Sequence, residues 1–253
     1  MTADLAHTTD HPAAKTGSAA YSVAAVAALL IVASAVLDIT LMFFEPKAIV
    51  PGQTSAGEWL AMLHQHRILS LRNLGLLNVV NLLLEVPVFL ALYDVHRRAQ
   101  RDLAAVAVAL LLVGAAVYIA RNPVFSLDAL ASRYAEATTD ADRGALLGAT
   151  STLLVLGEDL TSGAFMGFFV TELAGLVMAL AMIRGRMFGR LTSITGGVGF
   201  GSLLVFNVFA AFAPTLYGRV LALGAIGGVV MIIWFVLVAR GLVRLARNAG
   251  AQS

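Results

Sequence analysis

The chain contains no cysteine among its 253 residues. That absence excludes a disulfide scaffold, Fe–S ligation and thiol-based redox chemistry. Charged residues are also scarce, at 13% of the sequence, whereas 59% of the residues are hydrophobic. A soluble fold of this length would have to bury more apolar surface than its volume allows. The composition therefore favours a protein whose solvent is lipid.

The hydrophobic residues are gathered in six long runs. They are Tyr21 to Phe44, Asn73 to Tyr93, Leu103 to Ala120, Thr161 to Ile183, Leu191 to Phe212 and Val220 to Ala239. Each run is long enough to cross a hydrocarbon core, which needs about 20 apolar residues. We therefore expect an all-α fold, a polytopic membrane helix bundle with six transmembrane helices and two short helical segments on its outer face.

Arginines are concentrated in alternate connections between the runs, at residues 94–102, at 184–190 and after the sixth run. Short arginine-rich connections stay in the cytoplasm. Both termini are therefore predicted to be cytoplasmic, with a polar leader at 1–20, a transmembrane domain at 21–243 and a tail at 244–253. We attribute the formal net charge of +2 to this excess of arginine on the cytoplasmic side. Without an aromatic and basic surface, the arginines indicate no nucleic-acid partner.

The N-terminus allows a second interpretation, because Ala33-Ser34-Ala35 resembles a signal-peptidase site. The apolar run continues past this point to Phe44, however, and the leader holds Lys15 as its only cation. We prefer retention of the first span. The sequence is rich in alanine and arginine and poor in lysine, which is compatible with a bacterial source. The predicted location is the bacterial cytoplasmic membrane, with the lipid bilayer as the main partner.

The two long outer loops carry helix signals. Ser55 and Glu58 have the spacing of a capping box, which predicts a helix from about Ala56 to Arg67. Its apolar side suggests that it lies in the headgroup layer with Trp59 as the anchor. The second loop begins with a polar stretch at residues 126–137. Asp140 is expected to cap a further helix through 144–157, which is too short to span and either lies on the surface or dips in and returns.

Small residues recur every fourth position in the fourth run. They are Gly163, Gly167, Thr171, Gly175 and Ala179. This spacing lets helix backbones approach closely. We prefer packing within the chain, because a six-helix bundle offers many internal seams, and a homo-oligomer formed through glycine-rich faces is the alternative.

Polar side chains inside the spans are the candidates for a binding site. Asn78, Asn81 and Glu85 share one face of the second run, while Glu172 and Asn207 lie in the fourth and fifth. An ionised side chain in lipid costs about 2.5–3.5 kcal/mol on insertion scales, so the glutamates must face the bundle. These five residues are predicted to border a cavity for a small lipophilic or cationic ligand. Alternatively, neutral glutamates form hydrogen bonds that only tie helices together.

A second group of charged residues is predicted at the outer ends of the spans. Its members are Asp38, Arg72, Arg121, Glu158 and Asp159. All are expected within about two helical turns of the outer boundary. They fit a salt-bridged lid, or a site for an anion or headgroup, for which the planar guanidinium group of arginine is suited.

Histidine is scarce, and none of the five histidines lies within a run; His96 falls in a connection. This position argues against a membrane haem and against an intramembrane zinc enzyme. His64 and His66 would point about 200° apart on a helix, so they and Glu58 make a poor metal site. No metal and no cofactor is expected. Ligand binding or translocation ranks first, an accessory subunit second and an intramembrane enzyme third.

The order of spans and loops resembles a known arrangement. An arginine-rich turn, Arg184-Gly-Arg-Met-Phe-Gly-Arg190, is followed by Leu191-Thr-Ser-Ile-Thr-Gly-Gly197 at the start of the fifth span. With the six spans, this resembles the bacterial membrane family called domain of unknown function four-three-eight-six, over roughly Tyr21 to Ala239. The resemblance implies six helices, and it implies no activity and no catalytic residues.

Overall fold

The computed structural model describes residues 12–44 and 49–251, and that part of the chain contains helices and no strand. Ten α-helices follow one another, with a short 3₁₀ turn at Pro214–Leu216 before the last. They are α1 (Pro12–Met42), α2 (Ala56–Gln65), α3 (Arg67–Asn73), α4 (Leu76–His96), α5 (Arg101–Arg121), α6 (Val124–Glu136), α7 (Asp140–Gly157), α8 (Phe165–Gly185), α9 (Arg190–Phe212) and α10 (Tyr217–Gly250). Residues 1–11 of the expected leader lie outside the described residues.

Six segments are long and apolar enough to cross a membrane, and they contain α1, α4, α5, α8, α9 and α10. Their contacts form a closed ring: α1 packs on α4, α4 on α5, α5 on α8, α8 on α9, α9 on α10, and α10 returns to α1. A smaller contact joins α4 to α8 across the ring. The predicted polytopic bundle of six transmembrane helices is confirmed.

The outside of the ring is apolar on every spanning helix. One exposed side chain from each helix illustrates this, with exposed fractions between 44% and 61%. These side chains are Val23, Leu83, Val113, Ile183, Val198 and Ile233. A soluble protein rarely exposes so continuous an apolar surface. The exposed side chains are those expected where hydrocarbon surrounds the bundle.

Inside the ring, three aromatic side chains from α4, α9 and α10 pack edge to face. This aromatic cluster consists of Phe89, Phe200 and Trp234, all buried. The ring centroid of Phe200 lies 6.5 Å from that of Phe89 and 5.2 Å from that of Trp234. On α8, Gly175 leaves the space that the Phe200 ring occupies. The small-residue stripe of α8 therefore makes contacts within the chain, as Gly167 also does against Tyr118.

The two ends of the bundle differ. One end, which we term the capped face, carries α2 and α3 between α1 and α4, and α6 and α7 between α5 and α8. The helix expected from Ala56 to Arg67 is present as α2, which ends at Gln65 and is followed by α3. The segment expected at 144–157 lies within α7, and α6 was not predicted. The other end, the arginine face, carries the α4–α5 and α8–α9 turns and the end of α10, where most of the arginines lie.

The capping box at the start of α2 is confirmed. The Glu58 amide donates to Ser55 Oγ at 3.3 Å, and the Ser55 amide donates to the Glu58 carboxylate at 2.9 Å. The predicted position of Trp59 in the headgroup layer is wrong, because its side chain is fully buried against residues that include Leu127 and Leu154. The amphipathic side of α2 is covered by α6 and α7, so protein takes the place of lipid.

The predicted cap of α7 is also wrong by one residue. Thr139, not Asp140, is the N-cap, and its Oγ1 accepts the Asp142 amide at 3.1 Å. Threonine here keeps an extended backbone, while Asp140 and Asp142 lie in the first turn, where negative charge favours the helix dipole. Because α7 packs on α2 and α6, it lies on the capped face.

His96 does not lie in a connecting loop as predicted, because α4 continues through it as its last residue. The side chain is fully buried and stacks on Phe188, with ring centroids 5.7 Å apart. Its Nδ1 lies 2.8 Å from the Leu92 carbonyl oxygen. The histidine thus packs the end of α4 against the α8–α9 turn.

Candidate functional site

Three polar side chains meet inside the bundle, and we term them the acid layer: Glu85, Glu172 and Asn207. Glu172 on α8 and Asn207 on α9 are each 5% exposed, and Asn207 Nδ2 donates a hydrogen bond to Glu172 Oε1. Glu85 on α4 is partly buried and lies close enough to Glu172 for their charges to interact. The structure therefore brings three of the five predicted cavity residues together from three helices.

Several buried oxygen atoms on the spanning helices have no hydrogen-bond partner within the described residues. They are Glu172 Oε2, Asn207 Oδ1, Asn81 Oδ1 and the hydroxyl oxygen of Ser34. A buried polar atom left without a partner costs about 1–3 kcal/mol. Glu172 Oε2 and Asn207 Oδ1 therefore leave the acid layer able to accept hydrogen bonds or to contact positive charge. Ser34 was not predicted, since a single serine in an apolar run gives no signal of its own.

The acid layer has no basic residue on the helix segments that carry it. Residues 73–96, 165–183 and 191–212 contain neither lysine nor arginine. The aromatic cluster lies about one turn further toward the arginine face: Phe89 follows Glu85 by four residues, and Gly175, which contacts Phe200, follows Glu172 by three. Two carboxyl groups thus lie about one turn from the aromatic cluster, on helix segments that contain no arginine or lysine.

Asn78, the fourth predicted cavity residue, contacts Asp159 and not the acid layer. Its Nδ2 donates to Asp159 Oδ2 at 2.8 Å, and the Tyr118 hydroxyl donates to Asp159 Oδ1 at 2.7 Å. Asn122 Nδ2 donates to the Tyr118 hydroxyl oxygen at 3.1 Å. We term Asn78, Tyr118, Asn122 and Asp159 the Asp159 cluster. Tyr118 was missed from the sequence because a tyrosine in an apolar run is more often part of the core.

The predicted group of charges on the capped face divides into separate parts. Arg72 Nε donates to Asp38 Oδ1 at 2.7 Å, and a second nitrogen donates to Asp38 Oδ2 at 3.2 Å, which forms a two-point ion pair. Arg121 Nε donates to the Leu156 carbonyl oxygen at 3.1 Å. The groups that donate hydrogen bonds to Asp159 are neutral, and Asp38 and Arg72 alone of the five form an ion pair within the described residues.

Glu158 is buried on the capped face, at the C-terminal end of α7. Burial raises the pKa of its carboxyl group, while the Gly52 amide and the Trp59 indole favour the charged form and the charge of Asp159 opposes it. Neither Trp59 Nε1 nor Glu158 Oε1 has a hydrogen-bond partner within the described residues. The carboxyl thus links the α7–α8 connection to α2.

The pKa of Asp159 is raised from 3.8 to about 6, chiefly because the carboxyl group is buried. The hydrogen bonds from Tyr118 and Asn78 oppose that rise, and the charge of Asp38 adds to it. Asp159 is followed by Leu160, whose φ of +61° is a left-handed backbone conformation that is rare for leucine. A buried acid and a strained residue therefore adjoin in the connection between α7 and α8.

The raised pKa of Asp159 predicts that the folded protein loses stability as the pH rises. Between about pH 4 and 6 the folded state holds more protons than the unfolded state, because the Asp159 carboxyl is protonated only when it is buried. The contribution of Asp159 to the free energy of unfolding is therefore largest below the pKa of the unfolded state and is lost as the pH rises through the pKa of the folded state. A shift of about two units corresponds to at most about 3 kcal/mol. Thermal unfolding of the wild type and of Asp159→Asn, from about pH 4 to 8, measures this. The variant should show a flatter decline, and an equal decline in both proteins would contradict the assignment.

Within the described residues, no group of three or more histidine, aspartate or glutamate side chains is arranged to hold a metal ion. The fold and the site together define a polytopic helical membrane protein with carboxyl groups buried among its helices.

Residues 18–239 match the family described as Domain of unknown function (DUF4386), and the chain belongs to that family. The resemblance based on the spans and the Arg184–Arg190 turn is confirmed. No curated protein and no solved structure matches the chain at a significant level.

Proposed function

We propose that the protein binds a small lipophilic cation inside the bundle, between the acid layer and the aromatic cluster. The observation that carries the proposal is the pair Glu85 and Glu172, which lie near each other on helix segments without lysine or arginine. Carboxyl groups in a membrane interior usually face a partner or a ligand pathway. A cation would supply the missing positive charge.

The surroundings of the acid layer favour an organic cation. Aromatic faces attract positive charge, most strongly when the cation is desolvated, and the aromatic cluster lies one turn from the glutamates. Asn207 Oδ1 and Glu172 Oε2 add oxygen atoms that have no hydrogen-bond partner among the described residues. A cation with an apolar body could therefore contact oxygen on one side and aromatic carbon on the other.

The proposal includes an orientation. Short arginine-rich connections remain cytoplasmic, so the arginine face, where α1 begins and α10 ends, is assigned to the cytoplasm of a bacterial cell. The capped face then lies outside the inner membrane. This assignment is supported by the arginines of two turns, which are Arg184, Arg186 and Arg190 between α8 and α9 and Arg97 and Arg98 between α4 and α5.

A second function is favoured by one contact, the hydrogen bond from Asn207 to Glu172. It joins α8 to α9 and would by itself hold the two helices in register, as in a structural or accessory subunit. That interpretation leaves Glu172 Oε2 and the nearby Glu85 without a role. It also predicts no response of the purified protein to a cation.

Tetraphenylphosphonium is a suitable probe for the cation proposal, because it is both lipophilic and positively charged. A ligand at about 100 times its Kd stabilises the folded state by about 2.7 kcal/mol. For a chain of this size that corresponds to roughly 5–10 °C in Tm. We expect such an increase for the wild-type protein in detergent, with a response at least tenfold weaker in apparent affinity for Glu172→Gln.

Glu136→Gln is the matched control, because Glu136 is exposed on the capped face and the substitution removes the same charge. Glutamine at 172 can still accept the hydrogen bond of Asn207, so the α8–α9 contact is retained. Equal stabilisation of the wild type, Glu172→Gln and Glu136→Gln would place the probe elsewhere. No stabilisation of the wild type would leave the helix-tying role as the function of the acid layer.

A further inference from the structure

The half of α4 nearer the capped face connects the Asp159 cluster to the acid layer. We term Asn78, Asn81 and Glu85 the α4 polar stripe; their spacing places them within about 60° of one another around the helix, along about 10 Å of its axis. At one end Asn78 donates to Asp159, and at the other Glu85 lies close enough to Glu172 for their charges to interact. Polar side chains therefore continue from the capped face to the acid layer.

In the other direction the same helix is apolar. Residues 86–92 contain no polar side chain. Val88, Phe89 and Leu92 are fully buried, and so are Met178 and Met182 on the facing part of α8. Trp234 from α10 packs against Phe89 at 6.4 Å between ring centroids. The acid layer is therefore closed by packed apolar side chains on the side of the arginine face.

On the capped face the polar stripe ends at a contact made by side chains. Asp159 is held by the Tyr118 hydroxyl and by Asn78, from α5 and α4. The next residue, Leu160, has a left-handed backbone, which is unfavourable for a non-glycine residue. Such strain persists only where surrounding contacts hold it. The α7–α8 connection is thus fixed over the end of the stripe by a few hydrogen bonds.

We propose that the cation reaches the acid layer from the capped face along the α4 polar stripe, and that the Asp159 cluster closes this route at its outer end. The inference rests on the proposed cation site, and it adds the side of access and the contact that controls it. Movement of Asp159 away from Tyr118 and Asn78 would open the end of the stripe without disturbing the aromatic cluster.

The natural absence of cysteine allows a direct test, because each introduced thiol is the only one in the chain. Asn81→Cys places a thiol in the middle of the stripe, where the asparagine oxygen has no hydrogen-bond partner in the described part of the chain. Leu83→Cys is the matched control, since it lies two residues away with a side chain that faces lipid. Thr138→Cys and Met187→Cys, both exposed, mark the capped and arginine faces.

A membrane-impermeant methanethiosulfonate reagent is applied to either side of oriented proteoliposomes. We expect Asn81→Cys to react from the side that labels Thr138→Cys, at least tenfold faster than Leu83→Cys. Reaction from the side that labels Met187→Cys, or no reaction above the Leu83→Cys rate, would overturn the route. These outcomes are independent of cation binding, so the route can fail while tetraphenylphosphonium still binds, and the reverse.

The closing role of the Asp159 cluster is tested in the same assay. Tyr118→Phe removes one hydroxyl group that holds Asp159 and keeps the ring, which packs against Phe168. In the Asn81→Cys background, this change should increase the labelling rate from the capped face several-fold. An unchanged rate would show that the cluster does not close the route. Tyr134→Phe, which removes a hydroxyl from α6, is the control and should leave the rate unchanged.

Discussion

Trp234→Ala is expected to destabilise the protein by about 3–5 kcal/mol, the range for loss of a large aromatic side chain from a packed core. Trp234 is fully buried and contacts the rings of Phe89, Phe200 and Phe235. In a membrane the unfolded helices remain in lipid, so the loss comes mainly from van der Waals contacts and the cavity left behind. Thermal unfolding in detergent should show a decrease in Tm of roughly 10 °C.

Ile233→Ala is the matched control for that prediction. Ile233 precedes the tryptophan on α10 and is 44% exposed on the lipid side of the ring. Lipid can occupy the space that the shorter side chain leaves, so the change should cost less than about 1 kcal/mol. Equal destabilisation by the two substitutions would show that the aromatic cluster is not the packed centre of the bundle.

Gly75→Ala is expected to cost about 3 kcal/mol. Gly75 has a φ of +85° at the start of α4, a conformation that costs other residues about 1–2 kcal/mol. A Cβ there would also overlap the Tyr118 hydroxyl, the Asp159 carboxylate and the Asn122 amide, and overpacking costs about 1–3 kcal/mol. The substitution therefore strains the backbone and separates the Asp159 cluster. Thermal unfolding in detergent measures the combined cost of the strain and the overpacking as a decrease in Tm.

Gly144→Ala is the control for the glycine substitution. Gly144 lies in α7, is exposed, and has no atom within 4 Å of the position that a Cβ would take. Alanine is favoured over glycine in a helix by about 1 kcal/mol, so Tm should stay the same or increase slightly. A Gly75→Ala variant as stable as the wild type would contradict the crowded geometry of the Asp159 cluster.

The six spanning helices could be predicted from the sequence, because a helix must have about 20 consecutive apolar residues to cross the hydrocarbon core, and such runs can be read directly from the sequence. The α2 cap could also be predicted, since Ser55 and Glu58 interact over three residues. The burial of Trp59 could not. An amphipathic helix shows which side is apolar, but whether lipid or α6 and α7 cover that side depends on contacts between distant segments.

The candidate site was predictable only in part, for the same reason. Position along each span placed Glu172 and Asn207 inside the membrane, but their hydrogen bond joins residues on two different helices. Asn78 and Glu85 share a helix face, but Asn78 donates a hydrogen bond to Asp159 whereas Glu85 interacts with the charge of Glu172. The partners differ because Asp159 and Glu172 lie at different depths. Tyr118 gave no signal, since its role appears only when α5 meets the α7–α8 connection.

Saturation binding tests the central claim most directly. Purified wild-type protein in detergent is equilibrated by dialysis with radiolabelled tetraphenylphosphonium, with Glu136→Gln and Glu172→Gln measured in parallel. Buried carboxyl groups that form one cation site predict saturable binding of about one probe per chain in the wild type and Glu136→Gln, and its loss in Glu172→Gln. Binding that rises without saturation, or that saturates equally in all three proteins, would contradict a cation site at the acid layer.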